Sequence, residues 1–212
     1  YRDWQKLKDL LDEKQIAFAA LAVHEDWLLP EETDGERERL DEAIEFLTHF
    51  PTAKLMLGHV AADPVREHNL YEKQVNQLKC ISAIAQRAAE AGIVTVFHPN
   101  SGENSIFRYE SDYHIMFDTL YSKGIGYAPD AGHMLNGGID PLKVIREHRD
   151  IVQHVHFKDM TPEHVWATMG EGIGDFKSIV DFLADTGYQG WIMTEDESPD
   201  TEQDSDGVVL AD

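Results

Sequence analysis

The sequence predicts an α/β chain folded as a (β/α)8 barrel, and three observations carry that prediction. Short apolar runs that read as strands alternate with amphipathic stretches long enough for helices. The alternation repeats about every 30–40 residues. His24, His59, His98, Asp130, His156 and Glu195 each close an apolar run. Parallel strands of a barrel deliver their C-terminal ends to one mouth, where barrel enzymes build their sites. In a doubly wound open sheet six such ends would lie along an edge too wide for their side chains to meet.

The first helix is expected over residues 2–14, where Trp4, Leu7, Leu10 and Leu11 recur at helical spacing. The apolar run 16–23 reads as a buried strand ending at His24. A charged helix over 33–49 keeps Leu40, Ile44 and Leu47 on its inner stripe, and a strand over 53–57 ends at Gly58-His59. A long helix over 65–91 turns Val75, Leu78, Ile81, Ile84, Ala85 and Ala88 inward and stops at Gly92. The strand 93–97 ends at His98. After the loop 101–108, a helix near 110–121 leads to a short strand at 124–127 and then to Asp130 and His133. Residues 141–148 form a helix with Asp140 as N-cap.

The stretch 151–159 alternates, with Val152, His154, His156 and Lys158 on one face of a strand and Gln153, Val155 and Phe157 on the other. Two imidazoles and an ammonium line a dry core poorly, because each unpartnered polar group there costs roughly 2–7 kcal/mol. A site is the better reading of that face. A helix over 175–186 and a strand over 191–194 follow, the latter running into Glu195-Asp196-Glu197. The glycine run 170–174 lacks the strand before it and the ribose-binding acid after it that a dinucleotide fingerprint needs. Six strands and a seventh candidate near Met169 fall short of eight. A first strand ahead of residue 1 and a last helix beyond the C-terminus are therefore expected to complete a barrel of ~250 residues. The 212 residues read as one barrel domain with an irregular acidic tail from about residue 198.

Composition excludes several function classes. The net charge of −22, from 40 acidic and 18 basic residues, repels phosphate backbones and anionic membranes, so neither nucleic acid nor membrane is an expected partner. Cys80 has no second cysteine to pair with, which points to a reducing cytoplasm. No apolar run approaches a membrane span, and residues 1–4 do not read as the apolar region of a signal peptide. The missing initiator Met suggests a processed or excised piece. A homo-oligomer is compatible with all of this.

Two carboxylates and two imidazoles at one mouth, Asp130, Glu195, His98 and His156, suit a divalent ion that keeps positions open for substrate. Mn²⁺ is the expected ion, with Co²⁺, Zn²⁺ or Fe²⁺ as alternatives, rather than Mg²⁺ with its preference for all-oxygen shells.

The segments FHPN (97–100), YAPDAGH (127–133), HVHFKD (154–159), GEGIGDF (170–176) and GWIMTE (190–195) together resemble the xylose-isomerase-like sugar phosphate isomerase/epimerase superfamily, nearest to its inosose (2-keto-myo-inositol) dehydratase-like members. The resemblance covers about residues 5–198. It implies a (β/α)8 barrel with a divalent metal held by Glu, Asp, His and Glu. Asp130, His156 and Glu195 match the last three, and His133 matches a histidine that contacts substrate. His98 stands where many members have their first Glu. Isomerases and epimerases of this superfamily move a proton with two opposed metal-bound carboxylates, a harder arrangement with Glu195 alone. Elimination of water from a keto-sugar or keto-polyol needs one base, Glu195, and one acid, for which His133, His154 and Lys158 compete. Lys158 also reads as a contact to a substrate oxygen, and His24, His59 and His154 as pocket-lining groups. Glu103 and Glu110 are alternative carboxylates for which a surface role is preferred. An isomerase or epimerase is the competing reading. An endonuclease IV-type hydrolase conflicts with the acidic charge, and a non-catalytic sugar-binding barrel is the bland option.

Overall fold

The apolar runs become parallel strands in chain order, each returned to the same end of the molecule by a helix. In the computed structural model, which describes residues 3–59, 66 and 68–201, the elements are α1 (Trp4–Lys14), β1 (Ala20–Glu25), α2 (Asp34–Leu47), β2 (Lys54–His59), α3 (Leu70–Glu90), β3 (Thr95–His98) and α4 (Glu110–Lys123). They continue with β4 (Gly126–Tyr127), α5 (Ala131–Asn136), α6 (Pro141–Glu147), β5 (His154–Met160), β6 (Trp166–Ala167), α7 (Phe176–Asp185) and β7 (Trp191–Glu195). The acidic tail beyond residue 201 lies outside the described residues, as does the stretch 60–65 where the long helix was expected to begin. None of the described helices is long and apolar enough to cross a membrane.

Strands β1, β2, β3 and β4 pair side by side in parallel. Parallel bridges Tyr127↔Val152 and Asp130↔His156 carry the sheet on to β5, which pairs in parallel with β7. The seventh candidate near Met169 is not a further stave of the barrel. It is β6, two residues folded back antiparallel on the end of β5, with Met160 opposite Trp166. This happens because β5 runs past the barrel rim and offers its free edge there.

Packing follows the two-residue period of the strands. Leu55, Leu57, Phe97, Tyr127, Val155 and Phe157 point outward into one core with Leu40, Leu47, Ile81, Ile84, Leu120 and Leu183 of the helices. Inside the barrel, Met56, Val96 and Ala128 make a small apolar floor beside Ala20. Polar side chains occupy the levels above it. The expected strand over 16–23 is displaced, since Ile16 is exposed, Phe18 packs edge-on against Phe46 and Phe50, and pairing begins only at Ala20. That strand is also less buried than expected. Among the described residues β1 and β7 are paired on one side only, which leaves His24, Trp191 and Met193 exposed.

Local chemistry sets the helix ends. Thr33 and Glu36 form a capping box at α2, and Asp140 and Asp175 cap α6 and α7 through Lys143 N–H and Ser178 N–H. The short α5 had no sequence-level expectation. Its cap is Asp130, whose Oδ1 accepts from His133 N–H at 2.9 Å.

The glycine run 170–174 is organised by one side chain. Asp159 is fully buried and accepts backbone N–H groups from Met160 (2.8 Å), Gly170 (3.1 Å), Gly172 (2.9 Å) and Gly174 (3.0 Å). A Cβ on Gly172 would lie 2.3 Å from both the Asp159 Oδ1 and the Met160 carbonyl oxygen. The glycines are needed so that backbone can approach a carboxylate of the chain itself. Asp159→Ala strands several donors and is expected to cost about 2 kcal/mol. Denaturant unfolding of the variant checks this, and a midpoint equal to that of the parent would remove Asp159 from this role.

Candidate metal centre

The inward parity of each strand decides which chemistry reaches the mouth. On β5 the inward series is His154, His156 and Lys158, all buried. On β3 it ends at His98, and just past β4 it reaches Asp130. Pairing of Asp130 with His156 sets these two at one level, and His156 N–H donates to the Pro129 carbonyl at 2.8 Å. On β7 the register places Glu195 beside Lys158.

Asp130 is the hub. Its Oδ1 is occupied by the α5 cap, which frees Oδ2 to face the cluster, 3.4 Å from His98 Nε2, 3.8 Å from His133 Nε2 and 3.9 Å from Lys158 Nζ. His133 reaches it because α5 brings residues three apart onto one face. Glu195 Oε1 bonds His156 Nδ1, and its Oε2 accepts from Lys158 Nζ at 2.9 Å. Lys158 also donates to Glu197 at 2.9 Å and lies 5.3 Å from the Trp166 ring centroid.

Two triplets can offer a cation converging ligand atoms, all within 4.8 Å of one another: Asp130, His156 and Glu195, and His98, Asp130 and His133. Of the expected quartet, three residues therefore meet directly. His98 joins through Asp130 and has its ring 4.6 Å from that of His156. Among the described residues, His98 Nδ1 and Nε2, Asp130 Oδ2 and His156 Nε2 are buried without a hydrogen-bond partner. Orphaned buried atoms of this kind are costly. Their number at one spot, with a donor set of carboxylates and imidazoles, fits a divalent transition metal.

The electrostatics agree with ligands ready to bind. Burial alone would raise the Asp130 carboxyl, but His133, His98 and Lys158 hold it well below the usual carboxylate range. Burial likewise opposes Glu195, yet the His156 hydrogen bond and the Lys158 ammonium bring it down to about 2. Desolvation lowers His133 to about 4 against the pull of Asp130, so its ring is neutral. Burial would lower Lys158 too, but Asp130, Glu195 and Glu197 reverse this and keep it protonated.

A cavity of about 910 Å³ opens over this cluster, lined by His24, His98, His133, His156, Lys158 and Glu195 among others. Two expected pocket residues are not in its wall. His59 is buried with Nδ1 2.9 Å from Gln77 Nε2, because β2 turns Met56 and Gly58 inward and sends His59 to the helix side. Gly58 leaves room for His24, since a Cβ there would lie 2.3 Å from the His24 ring. His154 sits one pleat below His156, with ring centroids 4.9 Å apart, beneath the cavity rather than in it. Glu103 lines the exposed rim, whereas Glu110 pairs with Lys143 at 2.6 Å outside. Glu197, Arg108, Asn136, His164 and Trp166 also line the cavity and were not singled out from the sequence. Glu197 was readable as the next inward position after Glu195, but the others sit on loops and a helix end that carry no periodic signal.

The chain matches the xylose isomerase-like TIM barrel family over residues 1–209. It belongs to that family. Among curated relatives, the inosose dehydratase of Lacticaseibacillus casei is 30% identical in an alignment 135 residues long that covers 55% of this chain and 45% of that enzyme. The matched stretch thus spans under half the length of that relative. Among solved structures, the family fold recurs in the 3-keto-D-glucoside 4-epimerase YcjR from E. coli, with a TM-score of 0.74 at 16% identity over 99% of this chain and 84% of that one. It recurs too in the IolI protein solved with a bound zinc atom, with a TM-score of 0.74 at 14% identity over 96% of this chain and 77% of that one. These structures share the barrel with this chain.

Two outcomes are expected from this geometry. The purified chain should bind one divalent ion by metal analysis and calorimetry, and Asp130→Ala or His156→Ala should abolish retention while circular dichroism stays that of the parent. Normal metal content in both variants would refute the ligand set. In metal-free protein, His59, His133 and His154 titrate at about 4 instead of near 6.5, chiefly through burial. Their unfolded rings take up protons first, so stability is full above pH 6.5 and falls progressively towards pH 4. A thermal midpoint that is flat across this window would show that these rings ionise within the fold.

Proposed function

We propose that the chain is a metal-dependent dehydratase that removes the proton α to the carbonyl of a keto-sugar or keto-polyol and expels water. The observation that carries the reading is the asymmetry of the cluster. Glu195 and Lys158 stand together on one side, and the opposite side presents His98 and His133 where an epimerase of this design needs a second carboxylate.

A divalent ion held by Asp130, His156 and Glu195 with His98 alongside, Mn²⁺ first and Co²⁺, Zn²⁺ or Fe²⁺ as alternatives, would polarise the carbonyl and acidify the α-proton. Glu195 takes that proton. With a carboxyl brought down to about 2 it is a weak base, so the reaction depends on an acidified substrate and close placement more than on base strength. Of the candidate acids His133, His154 and Lys158, Lys158 is the one held protonated at neutral pH, and it gives that proton to the departing hydroxyl, which leaves as water. His133, neutral and with Nδ1 2.9 Å from Ser101 Oγ, is held in orientation and positions a substrate oxygen. His24 adds a further contact at the rim.

The test is turnover of keto-polyols and ketoses by the metal-loaded chain in deuterated water, followed by mass spectrometry. A product lighter by one water is expected, with Glu195→Gln lowering kcat by about 100-fold or more. A product of unchanged composition carrying solvent deuterium would assign an isomerase or epimerase instead. Absence of turnover on every ketose would leave a sugar-binding barrel.

A further inference from the structure

We propose that Arg108 sets the substrate class of this cavity, its guanidinium receiving an oxyanion of the substrate, a carboxylate or phosphate, while the carbonyl end lies at the Asp130 cluster. The anion contact stands on the observations below, and the placement of the carbonyl end rests on the functional reading above.

Arg108 is half-buried and lines the cavity. Its Nε is buried, and among the described residues it has no hydrogen-bond partner. The neighbouring carboxylate does not neutralise it. Asp112 Oδ2 accepts from Arg66 Nη1 at 2.8 Å and from the backbone N–H groups of Arg108 and Tyr109 at 3.0 and 2.9 Å, and Oδ1 accepts from Gln74 at 3.2 Å. Asp112 therefore fixes the Arg108 backbone and spends its charge on Arg66. Glu195 and Glu197 are engaged by Lys158, and no described carboxylate forms an ion pair with Arg108.

The residue is also held in place relative to the cluster. Its carbonyl oxygen packs against Gly137, where a Cβ would come within 2.1 Å, and this ties the loop to the end of α5, the helix that carries His133. The Arg66 and Arg108 guanidinium carbons lie 4.8 and 5.5 Å from the centroid of the Tyr109 ring. In a chain of net charge −22, a guanidinium that lines a cavity and has no ion pair among the described residues is a local exception to a field that otherwise repels anions. A planar fork of N–H donors matches a carboxylate or phosphate in bidentate fashion, and a neutral polyol would use it less well.

The experiment is calorimetric titration of the full, metal-loaded chain and its Arg108→Gln variant with three probes: inorganic phosphate, gluconate and myo-inositol. Wild type should bind phosphate or gluconate more tightly than myo-inositol, and the stronger of the two tells phosphate from carboxylate. Arg108→Gln should weaken that anion by about 10–100-fold, as loss of a charge-assisted pair does, and leave myo-inositol unchanged. Any contact of gluconate or phosphate with the metal is common to both proteins, so the difference isolates the guanidinium. Arg108→Lys should restore part of the affinity. Equal anion binding by wild type and Arg108→Gln, or no preference of wild type for an anion, would overturn the proposal. Arg108-dependent anion binding in a chain that turns over no ketose, neutral or bearing a carboxylate or phosphate, would uphold the anion site and reject the dehydratase.

Discussion

The mouth of this barrel depends on a single buried carboxylate whose two oxygens have separate duties. Oδ1 of Asp130 caps α5 and so holds His133 in place, while Oδ2 is left facing His98, His133 and Lys158. A carboxylate stripped of water is costly unless positive charge or donors surround it. Here the surroundings do more than offset the burial, for the group stays ionised well below the usual range. Structure and prospective ligand are thus one residue, and its loss would remove together a ligand and the cap that holds His133.

Lys158 gives the second half of the arrangement. It reaches Glu195 and Glu197 at 2.9 Å each and approaches Asp130, so a buried cation balances acidic groups that would otherwise repel one another. Buried networks of this kind stabilise only when each member has a partner. The atoms without one, on His98, Asp130 and His156, lie together where the two candidate triplets share Asp130. Four of the eleven such atoms among the described residues fall at this one point.

Asp159 shows the same economy in a structural role. One carboxylate gathers four backbone N–H groups and turns the glycine run back over the end of β5. That run leads directly into the Asp175 cap of α7, so the loop and the following helix are set by consecutive short-range interactions. The motif's resemblance to a nucleotide loop has a local cause, because backbone packed tightly against a carboxylate demands glycine for the same steric reason as backbone packed against a phosphate.

Side-chain order alone made legible the barrel, the order of its parallel strands and the convergence of Asp130, His156 and Glu195 on one mouth. It could do so because a strand's period of two and a helix's period of 3.6 are written into side-chain order, and strand ends converge in this architecture. Which end-of-strand residues face inward was settled by folding. His59 follows an apolar run much as His98 does, yet Gly58 takes the inward position and His59 faces Gln77. His154 shares a face with His156 but lies one level too deep. Arg108, Trp166 and the pairing of Lys158 with Glu197 come from loops and strand extensions brought together by folding. Depth and loop placement arise from register between strands and from contacts distant in the chain, and no local period records them.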